Sequence, residues 1–379
     1  MRRNLAVRVL HIIGAMDPGG VETWLLNVLK YIDRDLLEFH FCTFGPNPGL
    51  FAGEVERLGG RILPCPRGLN PWSFHRRFRK ILREGNYDAV HSHVNLFSGA
   101  VLRWAEAEGV AMRIAHSHAS QDEKRNTLMR RNYRKIMKSW IDRYATHGLA
   151  VSGSAAAELF GQEWKADARF RVLHCGIDLL PFHECAARDE VRKEFGFPID
   201  APIVGHVGRF VPAKNHRFLL EVFRALLGKR PDAHLLLVGD GFLRPQIEAQ
   251  AKLMGISENV HFVGARTDVP RIMRGAMDTF LFPSLWEGLP IALIEAQAAG
   301  LCCLTSSTIS REVAIGSEIV EFMDLSASPS DWAERVVQLL KKRPLSELTA
   351  LETIAEGPFS VRHCIEDLAH VYRPKELNV

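Results

Sequence analysis

The sequence predicts an α/β protein built of two doubly wound halves, and three observations carry that reading. Short apolar runs rich in Val, Ile and Leu alternate with segments of helical period along the whole chain, the pattern of parallel strands joined by crossover helices. The scheme occurs twice, with seven strand-like runs before residue 178 and six after residue 202. At 379 residues the chain is also too long for one ordinary core and suits two domains of roughly 150 to 200 residues each.

The N-terminus begins basic and then apolar, in outline like a secretory leader. Its apolar run is short and is interrupted by Arg8 and His11, so residues 7–13 read as the first buried strand. Further strands are expected at 39–44, 61–65, 88–91, 112–116, 148–151 and 170–173. Residues 122–144 have helical period, with Met129, Tyr133, Ile136, Trp140 and Tyr144 on one side and Arg131, Arg134, Lys135 and Lys138 on the other. Such a stripe is ordinarily a core face with a solvated back. It also suits an anionic membrane surface, at about 1 kcal/mol per Lys or Arg near it. In 178–202 prolines flank a charged helical segment, which makes this stretch the expected linker. The second half places strands at 203–207, 234–238, 260–263, 279–282, 302–305 and 319–321. The expected domains are thus 1–178 and 179–358. They are followed at 359–379 by an amphipathic helix with Val361, Ile365, Leu368 and Val371 on one side.

A composition of 47% hydrophobic and 24% charged residues is that of a soluble globular protein, and no apolar run reaches the ~18 residues of a membrane span. The seven cysteines are scattered, odd in number and lack a Cys-x-x-Cys pair, which favours a reducing cytoplasm over a disulfide framework. Charge is uneven: residues 1–178 hold 26 Lys and Arg against 18 Asp and Glu, while 179–379 hold 22 against 26. The first half is therefore the one expected to meet an acidic surface.

The richest segment is 282–300, FPSLWEGLPIALIEAQAAG. Pro290 suits a first helical position and Gly300 the position just past the end. The amides around Gly288, Leu289 and Ile291 would then point outward from a positive helix terminus, where phosphate or sugar oxygens are stabilised. Glu287 stands at that mouth. Glu295, among Ile291, Ala292, Ala298 and Ala299, lies on so apolar a face that it needs a partner. In GRFVPAKNH, Arg209 and Lys214 follow a strand end, and a guanidinium with an ammonium there suits a diphosphate leaving group; taken alone, they read as surface charges. Gly239 and Gly241 suggest a turn where backbone approaches a ligand. The residue three after Gly241 is Arg244, so no dinucleotide fingerprint is completed, and Gly14 to Gly19 lacks the Lys-Ser/Thr of a phosphate-binding loop. NAD and ATP are unsupported.

In the first half, Gly19 and Gly20 open a helix directly after the first strand, with Glu22 behind them. Two His-x-His pairs, His91 with His93 and His116 with His118, close consecutive strands, and alternation puts each pair on one face. A zinc site is the rival reading of four such imidazoles. No carboxylate or cysteine is spaced to complete its shell.

Glutamate, seven residues, glutamate, with Gly-Leu-Pro after the first, resembles the signature of the retaining glycosyltransferases of family 4, in particular their bacterial exopolysaccharide and capsule branch. The Gly-Arg, four residues, Lys spacing is similar to that family's diphosphate clamp, and the likeness covers nearly the whole chain. It implies the GT-B fold, two Rossmann-like domains facing across a cleft, with the final helix crossing back to the first domain. It implies that Glu287 and the backbone of Gly288 and Leu289 grip the donor sugar, that Glu295 binds the ribose, and that Arg209 and Lys214 neutralise the departing diphosphate. Arg266 falls where the family holds the base, and Gly19 and Gly20 match the family's Gly-Gly loop, on the donor's phosphates. His118, with His116 as the alternative, would stand beside the reacting carbon. The implied co-substrate is a nucleotide diphosphate sugar, with no metal and no other cofactor. The implied acceptor is a lipid-linked or growing polysaccharide at the cytoplasmic membrane face, and no nucleic acid is expected. The rivals are a nucleotide-sugar epimerase of the same fold and a non-catalytic scaffold subunit. One departure is visible: Cys175 stands where the family commonly has asparagine before Gly-Ile-Asp.

Overall fold

The computed structural model describes residues 6–45, 47–66, 71–119, 127–184, 187–315, 319–342 and 347–373. The chain divides into two compact units, one of Met1–Gly176 with Val361–Val379, the other of Ile177–Ser360. The first unit is discontinuous in sequence, and the divisions fall at 176/177 and 360/361, against the expected 178/179 and 358/359.

In the first unit the strands are β1 (Val7–Ile13), β2 (Leu37–Thr43), β3 (Arg61–Pro64), β4 (Ala89–Ser92), β5 (Met112–Ser117), β6 (His147–Ala150) and β7 (Phe170–Val172). They form one parallel sheet in the order β3-β2-β1-β4-β5-β6-β7. The order reverses between β1 and β4, so their carboxyl ends open a crevice of the kind where ligands settle in doubly wound sheets. A core of Leu10, Ile12, Val90, Ala115 and Met137 lies on one face, with Phe44, Phe74 and Phe78 at its edge. Helix Val361–Tyr372 belongs to this unit and buries Val361, Cys364, Leu368, Val371 and Tyr372. Cys364 and Tyr372 were not on the expected face. Ile365, which was, is only half-buried.

The second unit holds β8 (Ile203–Val207), β9 (His234–Val238), β10 (Val260–Phe262), β11 (Thr279–Phe282), β12 (Cys302–Ser306) and β13 (Val320–Met323), parallel in the order β10-β9-β8-β11-β12-β13. Its central strands are buried on both faces, which is why they read as continuous apolar runs. Its reversal lies between β8 and β11. Arg192, on helix Arg188–Glu194, is wholly buried and donates from Nη2 to Asp278 Oδ2 at 2.7 Å, while the same carboxylate oxygen accepts the Ile203 amide at 2.7 Å. With Arg188 paired to the other oxygen of Asp278, two ion pairs on one carboxylate pin this helix to the amino ends of β8 and β11.

Helix Leu128–Tyr144 starts at Thr127, whose side chain caps the Arg130 amide; the expected start at Asp122 lies outside the described residues. Its core face is the expected one in part: Tyr133, Trp140 and Tyr144 pack against the core of the unit. Met137 and Ile141 are buried, whereas Met129 is 83% and Ile136 48% exposed. Gly99 explains the difference: a Cβ there would lie 2.5 Å from the Met137 carbonyl oxygen, so helix Ser98–Ala107 approaches backbone to backbone and turns Met137 inward.

Candidate active site

In the second unit the two loops that leave the crevice, 208–215 after β8 and 283–290 after β11, are laced together. The Leu285 amide donates to the Ala213 carbonyl at 2.7 Å and Asn215 Nδ2 to the Pro283 carbonyl at 3.1 Å. The lacing brings Lys214 to Glu287, Nζ to Oε1 at 2.6 Å, with about a sixth of either side chain exposed. The ammonium also lies 4.6 Å from the Phe282 ring centroid. Arg209, in the same loop, is exposed, and its guanidinium forms no hydrogen bond or ion pair with the described residues. An arriving anion thus meets one unpaired cation and a second whose carboxylate partner is also free to turn to hydroxyls.

The helix after Glu287 spans Ile291–Ala298. Pro290, expected as its first residue, is instead its cap, with φ −79° and ψ 87°, because the turn before it folds tightly. The same turn engages one of the three amides expected to point outward: Ile291 N–H donates to the Leu289 carbonyl at 3.0 Å. At the far end Gly300 takes φ +75°. Its amide and that of Leu301 satisfy the carbonyls of Gln297 and Ala296, so the helix stops where the sequence indicated. Glu295 is partly buried, its carboxyl group has no hydrogen bond or ion pair with the described residues, and burial pushes that carboxyl up to about 7. The partner that so apolar a setting demands is not supplied by the described residues.

Two of the expected features in this unit have partners within the protein. Gly239 and Gly241 serve a neighbouring loop: a Cβ on Gly239, where φ is +138°, would lie 2.1 Å from the Gly208 carbonyl oxygen, and the Phe210 amide donates to the Asp240 carbonyl at 3.0 Å. They therefore seat the Arg209 loop. Arg266 is tied in fork fashion to Asp268, with two bonds of 2.8 Å, and reaches Glu194 at 3.1 Å while stacking on Phe195; these acids hold its guanidinium well above its usual range. A base would meet that stacked plane rather than unengaged N–H groups.

In the first unit, Gly19 is the extended residue before helix Gly20–Tyr31. The Glu22 carboxylate lies at this helix start, where a Cβ on Gly19 would sit 2.6 Å from Oε2. The histidines converge more fully than the sequence suggested. His11 on β1 pairs in register with His91 on β4, and five imidazoles, of His11, His91, His93, His116 and His118, gather on one face. They join in two chains. His11 Nδ1 meets His93 Nε2 at 3.1 Å, and His93 Nδ1 meets His118 Nε2 at 2.9 Å. The Tyr372 hydroxyl meets His91 Nδ1 at 2.6 Å, and His91 Nε2 meets His116 Nδ1 at 3.1 Å. Trp24 packs edge-on to His116 and donates to Cys364 Sγ at 3.1 Å. Burial lowers all five imidazoles, His11 and His118 to about 3, so all are neutral near pH 7.

His116 is wholly buried while His118 is only partly buried, so of the two His118 is the one a ligand can reach. Its Nδ1 lies 4.0 Å from Cys175 Sγ, the residue that departs from the family pattern. His11 and His91 with His93, and His93 with His116 and His118, are spaced as a metal could use them. In each chain, however, the inner ring nitrogens pair with one another, and only chain-end nitrogens such as His11 Nε2 and His116 Nε2 are left without a partner among the described residues. Sequence reasoning missed His11, Trp24 and Tyr372, since their meeting depends on strand order and on the return of the last helix.

Residues 187–352 match the family model for glycosyl transferases group 1, and residues 18–179 that for Glycosyltransferase Family 4. The chain is 34% identical over 370 residues to the putative glycosyltransferase EpsF of Bacillus subtilis (strain 168), covering 96% of each. It is 26% identical over 381 residues to the capsular polysaccharide biosynthesis glycosyltransferase CapH of Staphylococcus aureus, covering 98% of this chain and 100% of that one. Among solved structures it resembles Anabaena Alr3699/HepE in complex with UDP-glucose, with a TM-score of 0.75, 18% identity, and 96% and 98% of the two chains covered.

Proposed function

This chain belongs to the family 4, group 1 glycosyl transferases, and from that premise we propose that it moves a sugar from a nucleotide diphosphate sugar onto a hydroxyl of a lipid-linked or growing polysaccharide, with retention at the anomeric carbon. It is a glycosyltransferase of the GT-B type, related to enzymes of polysaccharide biosynthesis. The observation that carries the donor assignment is the Lys214–Glu287 pair beside an unpaired Arg209. The UDP-glucose bound to the Anabaena protein lends support to that class of donor.

In this reading Arg209 and Lys214 hold the diphosphate, and their charge offsets the negative charge that grows as the anomeric carbon–oxygen bond breaks. Glu287, released from Lys214, and the backbone of Gly288 and Leu289 bind sugar hydroxyls. Glu295 takes the ribose hydroxyls as its missing partner. Arg266 borders the base through its stacked face. In the first unit, Gly19, Gly20 and His118 are the donor contacts that the family resemblance implies. The acceptor oxygen bonds to the anomeric carbon on the face the phosphate leaves, and its proton passes to a phosphate oxygen. No protein nucleophile, metal or further cofactor is required.

Calorimetric titration of the chain with UDP-glucose, UDP-galactose, UDP-N-acetylglucosamine and GDP-mannose tests the reading. At least one should bind, and Lys214→Ala should weaken it about tenfold or more, the loss of a charge-assisted contact. Absence of binding for the whole panel at millimolar concentration refutes it.

A membrane-bound acceptor accords with helix Leu128–Tyr144, which exposes Leu128 and Met129 together with Arg131 and Lys135. The first unit should therefore sit on anionic vesicles in a salt-sensitive way, and association indifferent to salt, or absent, removes this part of the proposal. Among the described residues no helix is long and apolar enough to cross a membrane.

A further inference from the structure

The chain of imidazoles behind His118 has a consequence for which atom His118 shows to a ligand. Three neutral rings, His11, His93 and His118, carry three ring protons, and two of these occupy the N···N bonds of 3.1 and 2.9 Å. The third must stand at one end, on His11 Nε2 or on His118 Nδ1. His11 Nε2 is buried without a hydrogen-bond partner, and a buried N–H with no acceptor is the rarer and costlier condition than a bare lone pair. His118 Nδ1 faces Cys175 Sγ at 4.0 Å, a weak contact that a ligand oxygen displaces, and the residue is only partly buried.

We propose that His93, backed by His11, is a positioning residue that fixes His118 as the tautomer protonated on Nδ1, so that His118 offers a donor rather than an acceptor to its ligand. The proton order then runs outward: His11 Nδ1–H donates to His93 Nε2, His93 Nδ1–H donates to His118 Nε2, and His118 Nδ1–H is presented to a hydroxyl oxygen. This deepens the transferase reading and rests on it only for the nature of the ligand.

The tautomer is read without ligand, by long-range 1H–15N spectra of the whole chain carrying 15N-histidine, with His118 assigned from the signals lost in His118→Gln. In the native chain His118 should show a protonated Nδ1 and a bare Nε2. In His93→Phe, which keeps an aromatic ring and removes both nitrogens, the two tautomers of His118 should mix. In His93→Asn, whose amide N–H can stand for the lost Nδ1–H, the native tautomer should return. UDP affinity should stay within about twofold in His93→Phe, while UDP-glucose weakens about five- to tenfold, the value of one hydrogen bond. A native His118 protonated on Nε2, a tautomer unmoved by His93→Phe, or stoichiometric zinc in the purified chain would each overturn the relay. A correct tautomer in a chain that binds no sugar nucleotide upholds the relay and refutes the transferase reading alone.

Discussion

Replacing Glu295 by glutamine should make the ligand-free protein more stable and a poorer binder, and the stability gain should depend on pH in a defined way. Burial raises this carboxyl from 4.5 to about 7, so between those values the unfolded chain ionises while the native chain keeps its proton. Native stability therefore falls as pH rises from 4.5 and levels off above 7. At about 1.36 kcal/mol per pKa unit, the penalty is about 1 kcal/mol at pH 5 and about 3 kcal/mol at pH 8. Glutamine keeps the shape without the charge, so urea unfolding of Glu295→Gln against the native chain should show a gain that grows by about 2 kcal/mol from pH 5 to pH 8. Sugar-nucleotide affinity at pH 8 should drop about tenfold, because a charged acceptor is lost. An equal gain at both pH values, or a loss of stability at pH 8, would show that Glu295 already has a partner in the native chain and refute the reasoning.

Arg209→Ala should leave stability within about 0.5 kcal/mol, since the side chain is exposed and unpaired, yet weaken UDP binding about tenfold; calorimetry and urea unfolding together check this. Gly239→Ala should destabilise by about 2 to 4 kcal/mol in the same unfolding assay, because the methyl would meet the Gly208 carbonyl and an L-residue would be strained at φ +138°. Arg192→Met should cost about 3 kcal/mol, with Asp278 losing its buried partner while Arg188 remains beside it, and a change under about 1 kcal/mol would mean the pair is not what pins helix Arg188–Glu194.

All thirteen expected strands are present within one to two residues at their ends; the central ones were legible because a strand buried on both faces by crossover helices leaves a continuous apolar run. The pairing of Lys214 with Glu287 was beyond the sequence. They lie 73 residues apart, and only the adjacency of β8 and β11 in the sheet order brings their loops together. The helix Leu128–Tyr144 was legible in period and in the packing of Tyr133, Trp140 and Tyr144, but not in the burial of Met137 and Ile141, which lie where the close approach at Gly99 draws the helix in. His11 was read only as a break in a hydrophobic run. Its role emerges from the register that sets it opposite His91, and from the 281 residues between His91 and the tyrosine that meets it.

That long return has a consequence during synthesis. When the ribosome has made all seven strands of the first sheet, the imidazole layer still lacks Tyr372 and the Trp24 indole still lacks Cys364, and more than half of the chain remains to be translated. The nascent first unit must therefore wait for its last helix, with part of its polar layer uncovered, while the second unit is translated. Ribosomes stalled before codon 361 would display a sheet without its cover, a natural substrate for chaperones and a ready mark of an interrupted product.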